Sequence, residues 1–294
     1  MANRRAIVKR RKAVRNIKKI TRTMQLIATA RFQAAMNRAT ASRPYVNKLA
    51  ELVADLARGA GEGGLTHPLL EDPEVERRSV LVVVTSNRGL AGGYNAHVLR
   101  AAIEHLDRKA EAGVATEVWM AGKKGASAFR FRRRAVERGF TELDDKPRFA
   151  EVEPLAGELM ERFGGGRLDS VYAVYTRFFS ASRQAPEVVR LLPIGREAVA
   201  GAAEERGERP QYEVRPSAPE LLDRLLPATV RMRLYQAFLD AAVSEQIFRM
   251  TAMKAATEAA DEMIGDLSRQ YNRARQTQIT LELLDIVGGA NALA

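Results

Sequence analysis

The chain has 294 residues, 46% of them hydrophobic, and its 47 lysines and arginines outnumber 36 aspartates and glutamates, which gives a net charge of +11. This length and hydrophobic content allow a sizeable core and exclude a disordered tail. The basic excess favours an acidic partner such as nucleic acid, an anionic membrane surface or an acidic protein face. The absence of cysteine excludes disulfides, thiolate zinc sites and cysteine nucleophiles, and His67, His97 and His105 are too scattered for a metal cluster. We therefore predict no metal and no cofactor.

No stretch reaches the ~20 apolar residues of a membrane span. The basic, acid-poor start MANRRAIVKRRK lacks the apolar core of a signal peptide, but it also fits an organelle transit peptide, an alternative that stays open.

Residues 1–58 predict one long helix. No glycine occurs between Asn3 and Arg58, and side chains at alternating spacings of four and three form a heptad seam. The seam consists of Arg10, Val14, Ile17, Thr21, Met24, Ala28, Arg31 and Ala35. Beside it lie Ala13, Ile20, Ile27 and Ala34, which widen the apolar stripe and indicate packing partners on more than one side. Pro44 is predicted either to kink this helix or to be absorbed locally.

Residues 59–76 are rich in glycine and proline and predict a linker, after which residues 77–195 predict an α/β domain. The predicted strands are SVLVVV, VATEVWMAG, DSVYAVYTRF and PEVVRLLP, and the predicted helices cover Ala96 to Ala112 and Pro154 to Phe163. Residues 196–216 are polar and predict a loop or a partly ordered foot.

Residues 217–294 predict a second long helix, which ends at the Gly288–Gly289 pair. Its seam consists of Leu234, Phe238, Ala241, Glu245, Phe248, Ala252, Ala255 and Ala259, and shifts near Ala260 to Ile264, Leu267, Tyr271 and Ala274. Because the first helix runs into the α/β domain and the last runs out of it, the two must be antiparallel. The predicted fold is therefore α/β plus long helices: an antiparallel two-helix coiled coil of the N- and C-terminal segments with an inserted Rossmann-like domain.

The turn TSNRGLAGGYN follows a predicted strand and raises the question of a nucleotide site. Its glycines, Gly89, Gly92 and Gly93, fit neither GxGxxG nor GxxxxGK[ST], and no lysine follows to hold a phosphate. Glu111 falls at the end of a helix, whereas a ribose contact lies at the end of a strand. These observations favour a structural strand-to-helix turn over nucleotide binding.

The two ends and this turn resemble one family, the gamma subunits of F-type ATP synthases. The N-terminal NIKKITRTMQLIATAR is similar to the family's basic KIT-x-x-M helix, and SNRGLAGGYN resembles its S-D-R-G-L-C-G turn. The C-terminal SEQIFRMTAMKAATEAADEMI and YNRARQTQITLELLDIVGGA resemble its most characteristic signature. The chain departs from the family in having Asn87 for the usual aspartate and Ala91 for the frequent cysteine, which weakens any claim of charge or redox chemistry in the turn.

The resemblance implies a non-catalytic rotor shaft that carries torque between a membrane ring and three catalytic sites. It implies contacts with the alpha and beta subunits of the catalytic ring, an epsilon-type subunit and the membrane c-ring, peripheral attachment at the cytoplasmic face of a bacterial cell membrane, and no nucleic acid. The α/β domain is then scaffold, and the nucleotides bind to other subunits. We find no residues that could be nominated as catalytic.

Charge is concentrated on the first helix, where residues 1–58 hold 15 lysines and arginines against Glu51 and Asp55. Such a run is either a solvated face or the docking site of an acidic partner; mutual repulsion favours the second. The resemblance implies that an acidic lever of the beta subunits contacts four of these residues, which are Lys9, Arg10, Arg11 and Lys12.

Met24 fits either the core or that lever contact, and Arg249 either an internal salt bridge or the lever contact. The resemblance also implies that four polar residues grip loops of the catalytic ring, the alternative being a wet helix face. These are Arg275, Gln276, Thr280 and Glu282.

Two other functions compete with this reading. A basic coiled coil that binds nucleic acid would be expected to interleave aromatic residues with its cations, but the first aromatic is Phe32. A nucleotide-dependent enzyme built on the α/β domain would be revealed by a nucleotide titration of the isolated chain.

Overall fold

The computed structural model describes residues 4–59, 67–195 and 217–293, which form two compact units. The coiled-coil unit comprises Met1–Thr29 with Arg249–Ala294, and the sheet unit comprises Ala30–Phe248. Two long helices, α1 (Arg4–Gly59) and α5 (Ala218–Leu293), contribute to both units. The division into units thus falls within both helices rather than at the predicted domain boundaries. The predicted polar foot, residues 196–216, and part of the predicted linker lie outside the described residues.

Both long helices pass through residues that often interrupt a helix. α1 continues through Pro44 and α5 through Pro227. The predicted end of α5 at Gly288 and Gly289 is wrong, because the helix extends to Leu293. A glycine costs about 1 kcal/mol of helix propensity but keeps its N–H donor, so two glycines do not by themselves end a helix.

The sheet unit contains five strands in the order β3-β2-β1-β4-β5. In chain order its further elements are β1 (Arg78–Val84), α2 (Tyr94–Glu111), β2 (Ala115–Ala121), α3 (Lys123–Phe131), β3 (Arg138–Phe140), α4 (Phe149–Gly164), β4 (Ser170–Ser180) and β5 (Arg183–Leu192). β1 pairs in parallel with β2 and β4, β2 pairs in parallel with β3, and β5 is antiparallel to β4. This topology confirms the predicted Rossmann-like sheet. It adds α3 and β3, which sequence reasoning missed because they are short.

Helices cover both faces of the sheet. On β1, Val80 and Val82 belong to a core shared with α4, with the end of α1 and with the start of α5. Leu81 and Val83 point to the other face, where they join side chains of α2 and Phe129 of α3. Because both faces are buried, β1 reads as a continuous apolar run instead of alternating with polar residues.

His105, on α2, is an acid-sensitive part of this unit. Its side chain is 5% exposed, its ring centre lies 4.6 Å from that of Tyr172, and its buried Nε2 has no hydrogen-bond partner. Burial, together with the charges of Lys109 and Arg108, lowers the pKa of His105 to about 4, although the charge of Glu76 opposes the shift. The unfolded chain therefore binds a proton near pH 6.5 that the folded chain does not accept. We expect the stability to fall as the pH drops below 6.5, by up to about 2 kcal/mol at pH 5 from this group.

The measurement is denaturant unfolding of the full chain at pH 7.5 and pH 5 with and without His105→Phe, which keeps an aromatic ring next to Tyr172 but cannot titrate. The substitution should remove about 2 kcal/mol of the difference between the two pH values. If both proteins lose the same stability on acidification, His105 is not the group responsible.

In the coiled-coil unit, α1 and α5 run antiparallel. The Thr21 and Thr257 hydroxyl oxygens lie 2.8 Å apart, and the Arg11 guanidinium carbon lies 5.0 Å from the centre of the Tyr271 ring. Lys18 forms an ion pair with Asp261. Across these contacts the residue number increases along α1 while it decreases along α5, which confirms the predicted antiparallel pair. The apolar contact is made by Ile7, Val14, Ala260 and Leu267, with Ile264, Tyr271 and Ala274 packed against them.

The observed seam is rotated relative to the predicted one. Its buried members on α1 recur every seven residues: Ile7, Val14, Thr21, Ala28 and Ala35. The second line of the seam is formed by Arg11, Lys18, Gln25 and Phe32, one position after the predicted Arg10, Ile17, Met24 and Arg31. On α5, Met253, Thr257 and Ala260 are buried, whereas the predicted Ala255 and Ala259 are exposed. The reason is that Arg11 and Lys18 lay their apolar stems along the contact and end on Tyr271 and Asp261.

Candidate partner-binding surfaces

A second apolar stripe runs along α1 in the coiled-coil unit. Its members are Ala13, Ile17, Ile20, Met24 and Ile27, which again alternate spacings of four and three. Ile20 is 60% exposed, Ile17 and Ile27 are also exposed, and only Met24, at the border with the seam, is half-buried. The predicted flanking residues Ala13 and Ala34 are likewise exposed, so α5 does not supply the second packing side. A stripe with this periodicity fits a further helix or an apolar wall.

The four predicted basic contact residues are not equivalent. Lys9, Arg10 and Lys12 are exposed, whereas Arg11 is half-buried against Tyr271. Three of the four side chains can therefore meet another molecule without disturbing the helix pair, and Arg11 contributes to that pair.

The predicted polar grip at the end of α5 is fully exposed. The Thr280 hydroxyl donates to the Gln276 carbonyl oxygen at 3.0 Å, and Gln278 Nε2 donates to Glu282 Oε1 at 2.8 Å. Arg275, Gln276, Thr280 and Glu282 are all exposed. Glu282 is thus held by Gln278, a residue that sequence reasoning did not include.

The apolar residues in this part of α5 are also exposed. Ile286 is 69% exposed, and the other exposed apolar residues here are Ile279, Leu281, Leu283, Leu284 and Val287. The cause is the length of α5. Arg4, the first described residue of α1, lines a groove of about 550 Å³ together with Thr277 and Leu281, so residues 282–293 extend past the described part of α1. A contiguous apolar surface of this kind marks an interaction site.

Arg249 differs from the other predicted contact residues because it is 6% exposed. Its burial fits the internal alternative better than a contact with another subunit. For Met24 both alternatives, the core and the lever contact, remain open, because its half-buried side chain belongs to the exposed stripe and borders the seam.

The glycine turn is a tightly bonded strand-to-helix connection. Gly92 has φ +52°, in the left-handed region that favours glycine, and Gly89 and Gly93 flank it at the start of α2. Asn95 closes the turn by accepting from the Ser86 backbone N–H at 3.0 Å. Asn87 Nδ2 donates to the carbonyl oxygens of Thr141 and Leu143, and its Oδ1 accepts from the Lys123 N–H.

The Asn87 contacts explain the departure from the family's aspartate in physical terms. A carboxylate could accept from the Lys123 N–H but has no proton for the two carbonyl oxygens. The side chain thus ties the turn to the segment after β3, which is a structural role.

The crevice at the carboxyl edge of the sheet, where doubly wound folds bind ligands, is occupied by the chain itself. Around Val84, Thr85 and Ala121 the free space is about 20 Å³, and Phe238 and Ala241 of α5 line it. This space holds about one water molecule. The close packing extends to Gly122, where φ is +99° and a Cβ would lie 2.3 Å from the Thr85 carbonyl oxygen.

Across 4–59, 67–195 and 217–293, no group of three or more histidines, aspartates or glutamates is placed to hold a metal ion. Within the same ranges, no helix combines the length and apolar character that crossing a membrane requires.

Comparisons with known proteins place these surfaces in context. The sequence model of a family described as ATP synthase matches residues 3–293. The chain is 43% identical over 298 residues to the ATP synthase gamma chain of Rhodopirellula baltica, covering 100% of this chain and 99% of that one. It is 39% identical to the ATP synthase gamma chain of Leptospira biflexa, with 100% of each chain covered. In the cryo-EM structure of the Euglena gracilis mitochondrial ATP synthase rotor, a chain with 14% identity matches with a TM-score of 0.61, covering 94% of this chain and 98% of that one.

Proposed function

The chain belongs to the gamma chain family of ATP synthases and is a rotor subunit of an F-type enzyme, and we propose that it transmits torque through the exposed surfaces of α1 and α5. The resemblance based on the terminal motifs is confirmed by these relatives. The alternative of a nucleic-acid-binding coiled coil finds no support among them.

The proposal includes the partners. The alpha and beta subunits of a catalytic ring surround the coiled-coil unit, the sheet unit docks on an epsilon-type subunit and a membrane c-ring, and the chain itself catalyses no reaction. The complex lies at the cytoplasmic face of a bacterial membrane, to which this subunit is attached peripherally.

One observation carries the proposal beyond family membership: the described coiled-coil unit leaves two apolar surfaces uncovered. The α1 stripe, from Ala13 to Ile27, and the α5 end, from Ile279 to Val287, are exposed. An isolated protein would rarely tolerate both, whereas a shaft inside a close-fitting ring buries them.

The surfaces also explain how torque can alter catalysis. The stripe and the basic residues lie on α1, whereas the polar end lies on α5, so chemically identical subunits placed round the helix pair meet different contacts. Each subunit is then stabilised in a different conformation, and rotation exchanges the populations. A ligand or partner shifts such an equilibrium only through differential contact, which an asymmetric shaft provides.

The test of the proposed function is purification of the chain from a membrane extract, with its partners identified by mass. Co-purification with ring, epsilon-type and c-ring subunits in an ATP-hydrolysing complex is expected. A chain recovered alone or with nucleic acid would contradict the proposal.

We further expect the isolated chain to be incompletely folded. Hydrogen exchange should show residues 77–195 protected, because both faces of the sheet are covered, and residues 1–20 and 270–294 open, because a two-helix contact buries only one strip of each helix. Assembly should protect the two ends. Strong protection of both ends in the isolated chain would show that the helix pair is stable without a ring.

A further inference from the structure

Phe131, the last residue of α3, is a hydrophobic side chain in an unusual position. It is 89% exposed, whereas Phe129, two residues earlier on the same helix, is 0% exposed in the core under α2. Phe129 thus anchors α3 to the sheet unit while Phe131 points into solvent.

The turn that carries Phe131 is rigid. The N–H groups of Arg133 and Arg134 donate to the carbonyl oxygens of Arg130 and Phe129, both at 3.0 Å, in the pattern of a Schellman motif. Arg134 also forms an ion pair with Asp107 of α2 at 2.8 Å. Phe131 is therefore presented by a fixed turn and not by a flexible loop.

Arg133 occupies the position in this motif that glycine usually takes. Its φ is +55°, in the left-handed region, which costs stability for any side chain with a Cβ. Strain of this kind persists only where the surrounding structure enforces it, and it is enriched at functional sites.

The charges around Phe131 are unneutralised. Arg130, Arg132 and Arg133 are exposed, and none of them has an acidic partner among the described residues. These three residues and Phe131 are named the arginine tip. The tip lies at the amino-terminal edge of the sheet, because α2 and α3 both run back from the carboxyl edge and meet at the Arg134–Asp107 pair. The carboxyl edge, in contrast, is covered by α5.

We propose that the arginine tip is a docking surface for a protein partner that offers an apolar socket rimmed by carboxylates. Phe131 fills the socket, and the guanidinium groups of Arg130, Arg132 and Arg133 pair with the rim. Phenylalanine and arginine are both enriched at protein interfaces, and the planar guanidinium fork matches carboxylates in a bidentate manner. A bilayer is the less suitable partner, because one aromatic side chain on a compact turn buries little apolar surface compared with an amphipathic helix. The inference rests on the proposed function in placing this partner within the same complex.

The first test uses the absence of cysteine from the chain. Phe131→Cys introduces a unique thiol at the tip, and Ala181→Cys introduces one in the exposed turn between β4 and β5 as a matched control. We expect the rate of maleimide labelling at position 131 to fall by at least about tenfold on going from the isolated chain to the purified complex, with a change of less than about twofold at position 181. A labelling rate at position 131 that is unchanged in a complex of the expected subunits would overturn the docking surface and leave the proposed function intact.

A photoreactive p-benzoylphenylalanine at position 131 then identifies what covers the tip in the same complex. A cross-link to an acidic surface of a protein subunit supports the inference. Cross-linking to lipid assigns the tip to the membrane and overturns the protein partner, and the absence of any cross-link overturns the docking surface.

Arg133→Gly separates docking from folding. Glycine adopts the left-handed backbone conformation without strain, so the isolated chain should become more stable. If the tip had only a structural role, this substitution would raise stability and would not weaken binding of the partner. If the guanidinium docks, the partner cross-linked at position 131 should dissociate from the complex at about twofold lower salt concentration despite the stabler chain. Unchanged salt resistance would exclude Arg133 from the contact.

Discussion

Replacing Arg275 and Gln276 together by alanine is expected to lower ATP hydrolysis by the assembled complex about tenfold or more, while each single replacement is mild. Both side chains are exposed, and they stand about 100° apart round α5, so that they reach different groups of a surrounding ring. Each such hydrogen bond is worth about 1 kcal/mol net, and two losses that add fully amount to about 2 kcal/mol, or about thirtyfold in rate, so that even incomplete additivity leaves about tenfold. The measurement is the steady-state rate of hydrolysis by the purified complex.

The structure also provides a control for this experiment. Asp266 and Arg269 form an exposed ion pair on the same helix, and removing both side chains should change the rate by less than about twofold. The subunit content of each complex must be equal, so that slow turnover is not confused with poor assembly. If the double mutant hydrolyses ATP at the rate of the unmodified complex, Arg275 and Gln276 lie on a solvated helix face and do not contact the ring.

Much of the fold follows from the sequence because the long elements repeat one physical rule over many residues. The heptad spacing of α1 and the apolar run of β1 were sufficient to predict the helix pair and the buried sheet. The seam was predicted less well: Ile17 is more apolar than Lys18, but Lys18 faces the contact because its ion pair with Asp261 lies across it. Composition identifies an apolar stripe, and only the partner helix decides which edge of the stripe is covered.

The exposed surfaces show a second limit of sequence reasoning. Ile20 belongs to the apolar stripe that periodicity predicts to be packed, but it is exposed, because no described part of this chain covers it. Phe131 gave no signal at all, since α3 is short and RFRRR resembles an ordinary basic loop. Its role depends on the contrast with buried Phe129 and on the backbone of Arg133, which spacing alone does not show.

The glycine turn shows the opposite case. The sequence predicts no nucleotide site there, and the packing of α5 supplies a reason that motif spacing does not show. Motif spacing argued against a phosphate site in residues 85–95. The packing adds a separate reason, because Phe238 and Ala241 of α5, more than 140 residues later, occupy the edge where a ligand would enter. The same helix thus closes the sheet unit and continues into the coiled-coil unit, so its sequence serves both.

The second large effect is expected at the start of α1, where Lys9→Gln, Arg10→Gln and Lys12→Gln combined should weaken the coupling of ATP hydrolysis to ion pumping. The three side chains are exposed, and ten cations occur within the first 22 residues without any acid, so a partner with acidic groups would relieve their repulsion. Three surface contacts of about 0.5 kcal/mol each add up to about 1.5 kcal/mol, which corresponds to a fall of about tenfold in ions pumped per ATP hydrolysed. The measurement is ATP-driven pumping by the reconstituted complex, at equal rates of hydrolysis.

Arg11 must stay unchanged in this experiment, since it stacks on Tyr271 and its loss would weaken the helix pair as well as the charge. A matched control keeps the positive charges but changes the residue types, through Lys9→Arg, Arg10→Lys and Lys12→Arg. A complex with these three substitutions should pump as many ions per ATP as the unmodified complex does. Because charge contacts on a surface are screened, the deficit of the neutralised complex relative to this control should also shrink as the salt concentration rises. Full coupling after neutralisation would mean that these cations form a solvated face, and the acidic partner would then have to meet the apolar stripe of α1 instead.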